Sequence, residues 1–179
     1  MANAFCGVCD AKECLTKIGD NALFIVERNF DSQIVVYTIE LTPNKRDIKG
    51  VTSYWTYYDN LADRSPMGDA AKNMFYGVTI QAVKLGVYTM RLSCIPEDDD
   101  SMVIYLHIKK NGKVVPKVMI SDEDGEKECT LLKIYTDLTR IPPRLNELWV
   151  MGTFKDKILT KKLNIDSNMM TQFDFSSFA

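Results

Sequence analysis

The chain has 179 residues, 46% of them apolar, with 22 basic and 24 acidic side chains and a net charge of −2. That supplies apolar material for one real core and excludes wholesale disorder, while the charge balance gives no global pull toward nucleic acid or an anionic membrane. No run approaches the roughly 18 consecutive apolar residues of a membrane span, and Met1–Cys6 lacks the basic start and apolar stretch of a secretory leader, so a cytoplasmic protein is expected.

In chain order, residues 1–21 show little periodicity and read as an irregular, cysteine-bearing arm. Leu23–Arg28 and Ile34–Leu41 are rich in Val, Ile, Phe and Tyr around the turn chemistry of Asn29–Ser32, the pattern of a hairpin. Val51–Tyr58 reads as a strand heavy in aromatics. A helix is expected from Ser65-Pro66, an N-cap followed by proline, to Gly77. Its apolar stripe is Met67, Ala70, Ala71, Met74 and Phe75. Val78–Val83, Val87–Ile95, Met102–Lys109, Val114–Ile120, Thr130–Thr136, Leu148–Phe154 and Ile158–Ile165 follow as strands. Asn111-Gly112 predicts a two-residue type I′ hairpin that sets His107 opposite Pro116, and Lys155-Asp156 a second tight hairpin. Pro116 cannot donate to a ladder and predicts an edge or a bulge. About 8–10 strands with one helix predict an antiparallel β-sandwich or closed β-barrel over residues 22–165, followed by a flexible tail, 166–179.

The lone His107 leaves little acid–base redundancy and reads as structural; no serine or cysteine signature marks a catalytic triad around it. Five cysteines without a leader argue against a disulfide framework. Cys6, Cys9 and Cys14 form at most part of a zinc set, which needs four ligands, and read as reduced thiols; no cofactor is expected. The acidic runs Glu97–Asp100 and Asp122–Glu126 lack EF-hand spacing and read as solvated loops. Lys109, Lys110, Lys113 and Lys117 gather on one hairpin, and Lys155, Lys157, Lys161 and Lys162 on another. Lysine on edge strands blocks aggregation, and these hairpins lack the interleaved aromatics of a single-strand reader, so no nucleic-acid partner is expected.

The remaining constellation is Glu27, Arg28, Tyr37, Tyr54, Trp55, Tyr57, Lys72 and Tyr76. Its tyrosines and tryptophan supply flat, amphipathic surfaces, and the Glu27-Arg28 pair would anchor a polar ligand in an apolar pocket; a conventional core with its polar tips satisfied is the competing account.

The hydrophobic-Glu27-Arg28-Asn29 opening, Val35-Val36-Tyr37, Tyr54-Trp55, the helix running into Phe75-Tyr76-Gly77, and the late Ile141-Pro142-Pro143 with Leu148–Gly152 stand in a suggestive order. In that order they resemble an uncharacterised family, a domain of unknown function in bacteria and single-celled eukaryotes, over about residues 22–165. The resemblance implies no activity. It marks Glu27, Arg28, Tyr37, Trp55, Tyr76 and Gly77 as recurring residues, and the acidic loops and cysteine arm as departures.

The expected function is a non-catalytic module binding a small apolar, amphipathic or lipid-like ligand through Glu27, Arg28, Tyr37, Trp55, Tyr57, Lys72 and Tyr76. Two alternatives remain open: a protein-interaction module using edge strands and the lysine hairpins, and an enzyme that uses neither histidine nor metal.

Overall fold

Leu23-Phe24-Ile25-Val26 is buried at every position, and so is Ile34-Val35-Val36-Tyr37. A strand with one wet face buries only every second residue, so both faces of this hairpin are covered. The computed structural model describes residues 8–29, 31–95, 102–139 and 144–164. In it Phe24, Val26, Val35 and Tyr37 face the main core, while Ile25, Ile34 and Val36 face a helix, α1 (Val8–Ile18). Ala11, Cys14, Leu15 and Ile18 lie at i, i+3, i+4 and i+7 and supply the apolar stripe that packs there. The segment expected to be irregular is therefore helical from Val8; its stripe is only two turns long, and the clustered cysteines masked it.

The strands are β1 (Ala22–Arg28), β2 (Gln33–Leu41), β3 (Ile48–Tyr57), β4 (Asn60–Pro66), β5 (Val78–Lys84) and β6 (Val87–Leu92). They continue with β7 (Ile104–Ile108), β8 (Val114–Asp122), β9 (Gly125–Thr139), β10 (Arg144–Phe154) and β11 (Lys157–Asn164). All belong to one open 11-stranded sheet, ordered β4-β3-β2-β1-β9-β8-β7-β6-β5, with β10 and β11 attached to the free side of β9. The mainly-β expectation stands, and the closed barrel is corrected to an open sheet. The β1–β9 pair is parallel, which no local pattern announced.

Strand β9 organises the fold. Strand β10 runs along one of its edges, while the other edge is shared: β8 pairs with Gly125–Thr130 and β1 with Lys133–Thr136. Between these ladders Met151 faces Lys133 and Gly152 faces Leu131, leaving Leu132 as the extra residue of a bulge. The bulge reverses which side chains point inward, so Cys129 and Leu131 before it and Ile134 and Leu138 after it reach the same core. Gly152 permits the close approach, since a Cβ there would lie 2.8 Å from the Thr130 carbonyl oxygen.

The helix after β4 starts later than expected. Ser65 and Pro66 finish β4, and α2 (Asp69–Ala71) begins after Gly68 and passes into a π-turn, Lys72–Tyr76. Gly77 ends it with φ of −67°, so positive φ is not the reason for glycine. Its N–H donates to the Lys72 carbonyl at 2.8 Å, and a Cβ would stand 2.2 Å from that oxygen.

Of the two expected tight hairpins, the second forms as expected and the first does not. Lys155 and Asp156 adopt φ of 48° and 65°, and Phe154 pairs with Lys157, a two-residue turn. At Asn111-Gly112 only Gly112 has positive φ, and the Lys109 N–H donates to the Lys113 carbonyl, which makes a longer, bulged loop. The register moves by one, so His107 faces Val115 and Leu106 faces Pro116. Strand β8 pairs with β9 only from Lys117 onward, so Pro116 sits just past the end of that ladder, where its missing donor costs nothing. Among the described residues no helix is long and apolar enough to cross a membrane.

Candidate functional site

The Glu27-Arg28-Asn29 motif ends β1, and alternation sends its side chains in different directions. Arg28 continues the Phe24–Val26 face. Its guanidinium lies over the Trp55 ring, 4.5 Å from the centroid, donates to Asp31 and to Gln33 Oε1 at 2.7 Å, and hydrogen-bonds the Tyr76 phenol. Trp55 meets Tyr76 edge-on at 5.0 Å, and the Tyr37 hydroxyl donates to the Tyr76 carbonyl at 2.7 Å. Burial pushes the Tyr76 phenol up to about 12 against the opposing pull of Arg28, and pushes Tyr37 well above its ordinary value. Beneath this cluster Val26, Tyr37, Phe75, Tyr76, Leu92 and Cys94 help line a cavity of about 10 Å³. That is space for one water at most.

Glu27 points to the opposite face. Its Oε2 accepts from Lys133 Nζ at 2.9 Å and from the Tyr58 hydroxyl at 2.8 Å. The Lys133 side chain is 0% exposed, so this is a buried ion pair. Asn29 clasps β9, donating to Asp137 Oδ1 and accepting from the Leu138 N–H, both at 2.9 Å, while the Thr136 hydroxyl donates to the Glu27 carbonyl. The motif thus fastens a parallel strand pair joined across more than a hundred residues. Of the other expected ligand residues, Tyr57 is half-buried beside Gln33 in register, and Lys72 is exposed, with its carbonyl taken by Gly77. Arg28, Tyr37, Trp55 and Tyr76 come together; Glu27 faces away from them.

Cys14 faces β1 and β2, and burial raises its thiol to about 11; burial likewise raises Cys94 to about 12. Cys6 lies outside the described residues, as do the side chain of Cys9, the run 97–100 and the tail 166–179. Among the described residues no group of His, Cys, Asp and Glu has the geometry to hold a metal. Asp122–Glu126 is a tight turn in which Asp122 Oδ1 accepts from the Asp124 N–H at 2.8 Å. The second lysine hairpin is occupied: Lys161 reaches the Met119 carbonyl, Lys162 pairs with Glu147, and Lys155 lies over Phe154.

An open cleft forms elsewhere. Because β8 leaves β9 at Thr130 and β1 joins it at Lys133, the two diverge over Leu131 and Leu132. The gap, about 400 Å³, is floored by Val115, Pro116 and Thr130–Leu132 and walled by Lys12, Thr16 and Asp20 on one side and Lys109 and Lys113 on the other. A second cleft of about 400 Å³ lies on the other flank of the Lys109–Lys113 loop, bounded by Asp20, Thr42, Lys45, Asn111 and Lys113. Lys45, itself at φ of 59°, lays its side chain against Gly112. The sequence showed lysines at 109, 110, 113 and 117; it did not show that Lys12, Asp20 and Lys45 meet them.

The family model described as "Domain of unknown function (DUF4833)" matches residues 24–160. The chain belongs to this family. Comparison with curated proteins and with solved structures finds no match. The match begins at Phe24 and ends at Thr160, so it takes in β1 through most of β11 and leaves α1 outside. One wall of the first cleft, from Lys12 to Asp20, therefore lies beyond the DUF4833 match.

Proposed function

We propose that this DUF4833 domain is a non-catalytic binding module whose small ligand occupies the cleft between α1 and the β7–β8 loop. The observation carrying this reading is the contrast in space. The cleft offers about 400 Å³ with polar side chains on both walls, in the range of small-molecule sites, whereas the cavity under the aromatic cluster holds about 10 Å³. The lipid-like ligand expected at Arg28, Trp55 and Tyr76 would have to displace contacts those residues already make with one another. Thiols and phenols held protonated by burial are poor nucleophiles, which favours binding over covalent chemistry. The free, buried Cys14, Cys94 and Cys129 suit a reducing, cytoplasmic setting.

Native mass spectrometry of freshly purified protein tests the reading. Expected is a non-covalent adduct that vanishes on denaturation and is absent from Thr16→Trp, which fills the cleft from α1. An adduct retained in Thr16→Trp but lost in Arg28→Met would move the site to the aromatic cluster.

A second reading, protein interaction, is favoured by the β5–β6 hairpin. There Val83, on the end strand β5, is 57% exposed, and Leu85, in the turn that follows, is 87% exposed. The other sheet-end strands carry Pro66 or Lys157, Lys161 and Lys162, the usual guards against edge pairing. Light scattering would reveal it as a dimer at high protein concentration that Leu85→Lys dissolves.

A further inference from the structure

Lys12, Lys45, Lys109 and Lys113 come from three separate parts of the chain, and none has an ion-pair partner among the described residues. Elsewhere lysines of this protein are engaged: Lys133 with Glu27, Lys162 with Glu147, Lys49 with Glu40, and Lys17 with Glu13. Lys72 and Lys84 also lack an ion pair among the described residues and line neither cleft, but Lys12, Lys45, Lys109 and Lys113 converge around the two clefts. Lys117 donates from Nζ to Thr130 Oγ1 at 3.1 Å, and Thr130 lines the first cleft. Lys113 and Asp20 line both clefts, so the Lys109–Lys113 loop stands as a basic ridge with a pocket on each flank and one carboxylate at the junction.

We infer that the ligand is a phosphorylated, hydroxyl-bearing small molecule of the sugar-phosphate class, its phosphate held by Lys12, Lys109 and Lys113 and a hydroxyl donating to Asp20. This inference rests on the proposed binding role of the same cleft. Several features carry it together. Lysine ammoniums are compact point charges suited to phosphate, and no arginine lines either cleft to impose the planar fork that matches carboxylate. Asp20 is an acceptor when ionised, so a purely anionic ligand such as pyrophosphate meets repulsion where a hydroxyl meets a partner. The volume of about 400 Å³ fits a monosaccharide-sized body and excludes a folded polymer. Val115 and Leu132 give the floor an apolar surface on which a sugar ring can lie.

Because the lysines are exposed and screened by salt, binding is expected to weaken as ionic strength rises. The test is amide chemical-shift mapping of the full chain with ribose 5-phosphate, ribose and inorganic pyrophosphate. Ribose 5-phosphate is expected to move the signals of Lys12, Gly19, Asp20, Lys113 and Thr130 and to saturate, ribose to bind far more weakly, and Lys109→Met/Lys113→Met to lower ribose 5-phosphate affinity about tenfold or more. Asp20→Asn is expected to shift the preference from ribose 5-phosphate toward pyrophosphate. If ribose binds as well as its phosphate, or if uncharged fragments fill the cleft while phosphates do not, the inference fails and the binding cleft survives. If no probe moves any cleft signal, both fail. A single-stranded RNA that shifts the Lys155–Lys162 hairpin together with Lys109–Lys113 would replace the small molecule with a polyanion and overturn the inference.

Discussion

Arg28 and Lys113 carry the same charge and have opposite circumstances. Arg28 is enclosed by Trp55, Tyr76, Asp31 and Gln33 above a cavity too small for anything but water, while Lys113 stands exposed between two clefts without an ion-pair partner among the described residues. The conspicuous motif is thus internally satisfied, and the open chemistry lies in residues that look unremarkable in the chain. A cation already surrounded by its own partners stabilises a fold; a cation left facing open space is available to a ligand.

The contrast is most severely tested on the other face of β1. Lys133→Ala strands the Glu27 carboxylate at a buried site and is expected to cost about 3–5 kcal/mol in denaturant unfolding, with Glu27→Leu/Lys133→Met recovering most of the loss. Failure of the double variant to recover would mean that Lys133 does more than pair with Glu27. Arg28→Met keeps the contact with Trp55 but abandons Asp31 and Gln33; a loss of about 1.5–3 kcal/mol is expected. Ribose 5-phosphate binding by that variant should be unchanged, and a parallel loss of binding would erase the distinction drawn above.

Alkaline pH probes the closed region alone. Cys94 and Tyr76 have folded values pushed up to about 12, above the ordinary 9.0 and 10.0. Below the ordinary values both states hold these protons and the stabilisation is complete. Above them the unfolded chain releases protons that the folded chain retains, so stability falls as pH rises. The urea midpoint is expected to be flat near pH 8 and to drop steadily toward about pH 11. Cys14, Cys94 and Cys129 should resist alkylation in native protein and react in denaturant, as read by peptide mass mapping. The smallest effect is expected at the ridge: Lys109→Met/Lys113→Met should change stability by less than about 0.5 kcal/mol while altering only anion binding.

The strands were legible because β-branched and aromatic runs with period two leave few other ways to bury a face, and β1, β2, β3 and β5–β11 lie where those runs predicted. Strand β4 was not, since Asn60–Pro66 is mostly exposed and carries little apolar signal. Helix α1 left a trace that could have been used: four consecutive buried positions in β1 and again in β2 require a cover on both faces. Asn111-Gly112 shows the limit of turn signals, because the pairing of Ile108 with Val114 decided the loop length and local preference accommodated it.

The sequence by itself determined that this is a mainly β domain of the DUF4833 family with a helical segment ending at Gly77, because hydrophobic period and family motifs are local in the chain. Only the tertiary structure decided that Glu27 and Arg28 face opposite ways to different partners, that β1 joins β9 in parallel, and that Lys12, Asp20, Lys45, Lys109 and Lys113 share one end of the molecule. Those facts depend on pairings between residues far apart in the chain, above all on β9 sharing one edge between β8 and β1, which opens the cleft between them.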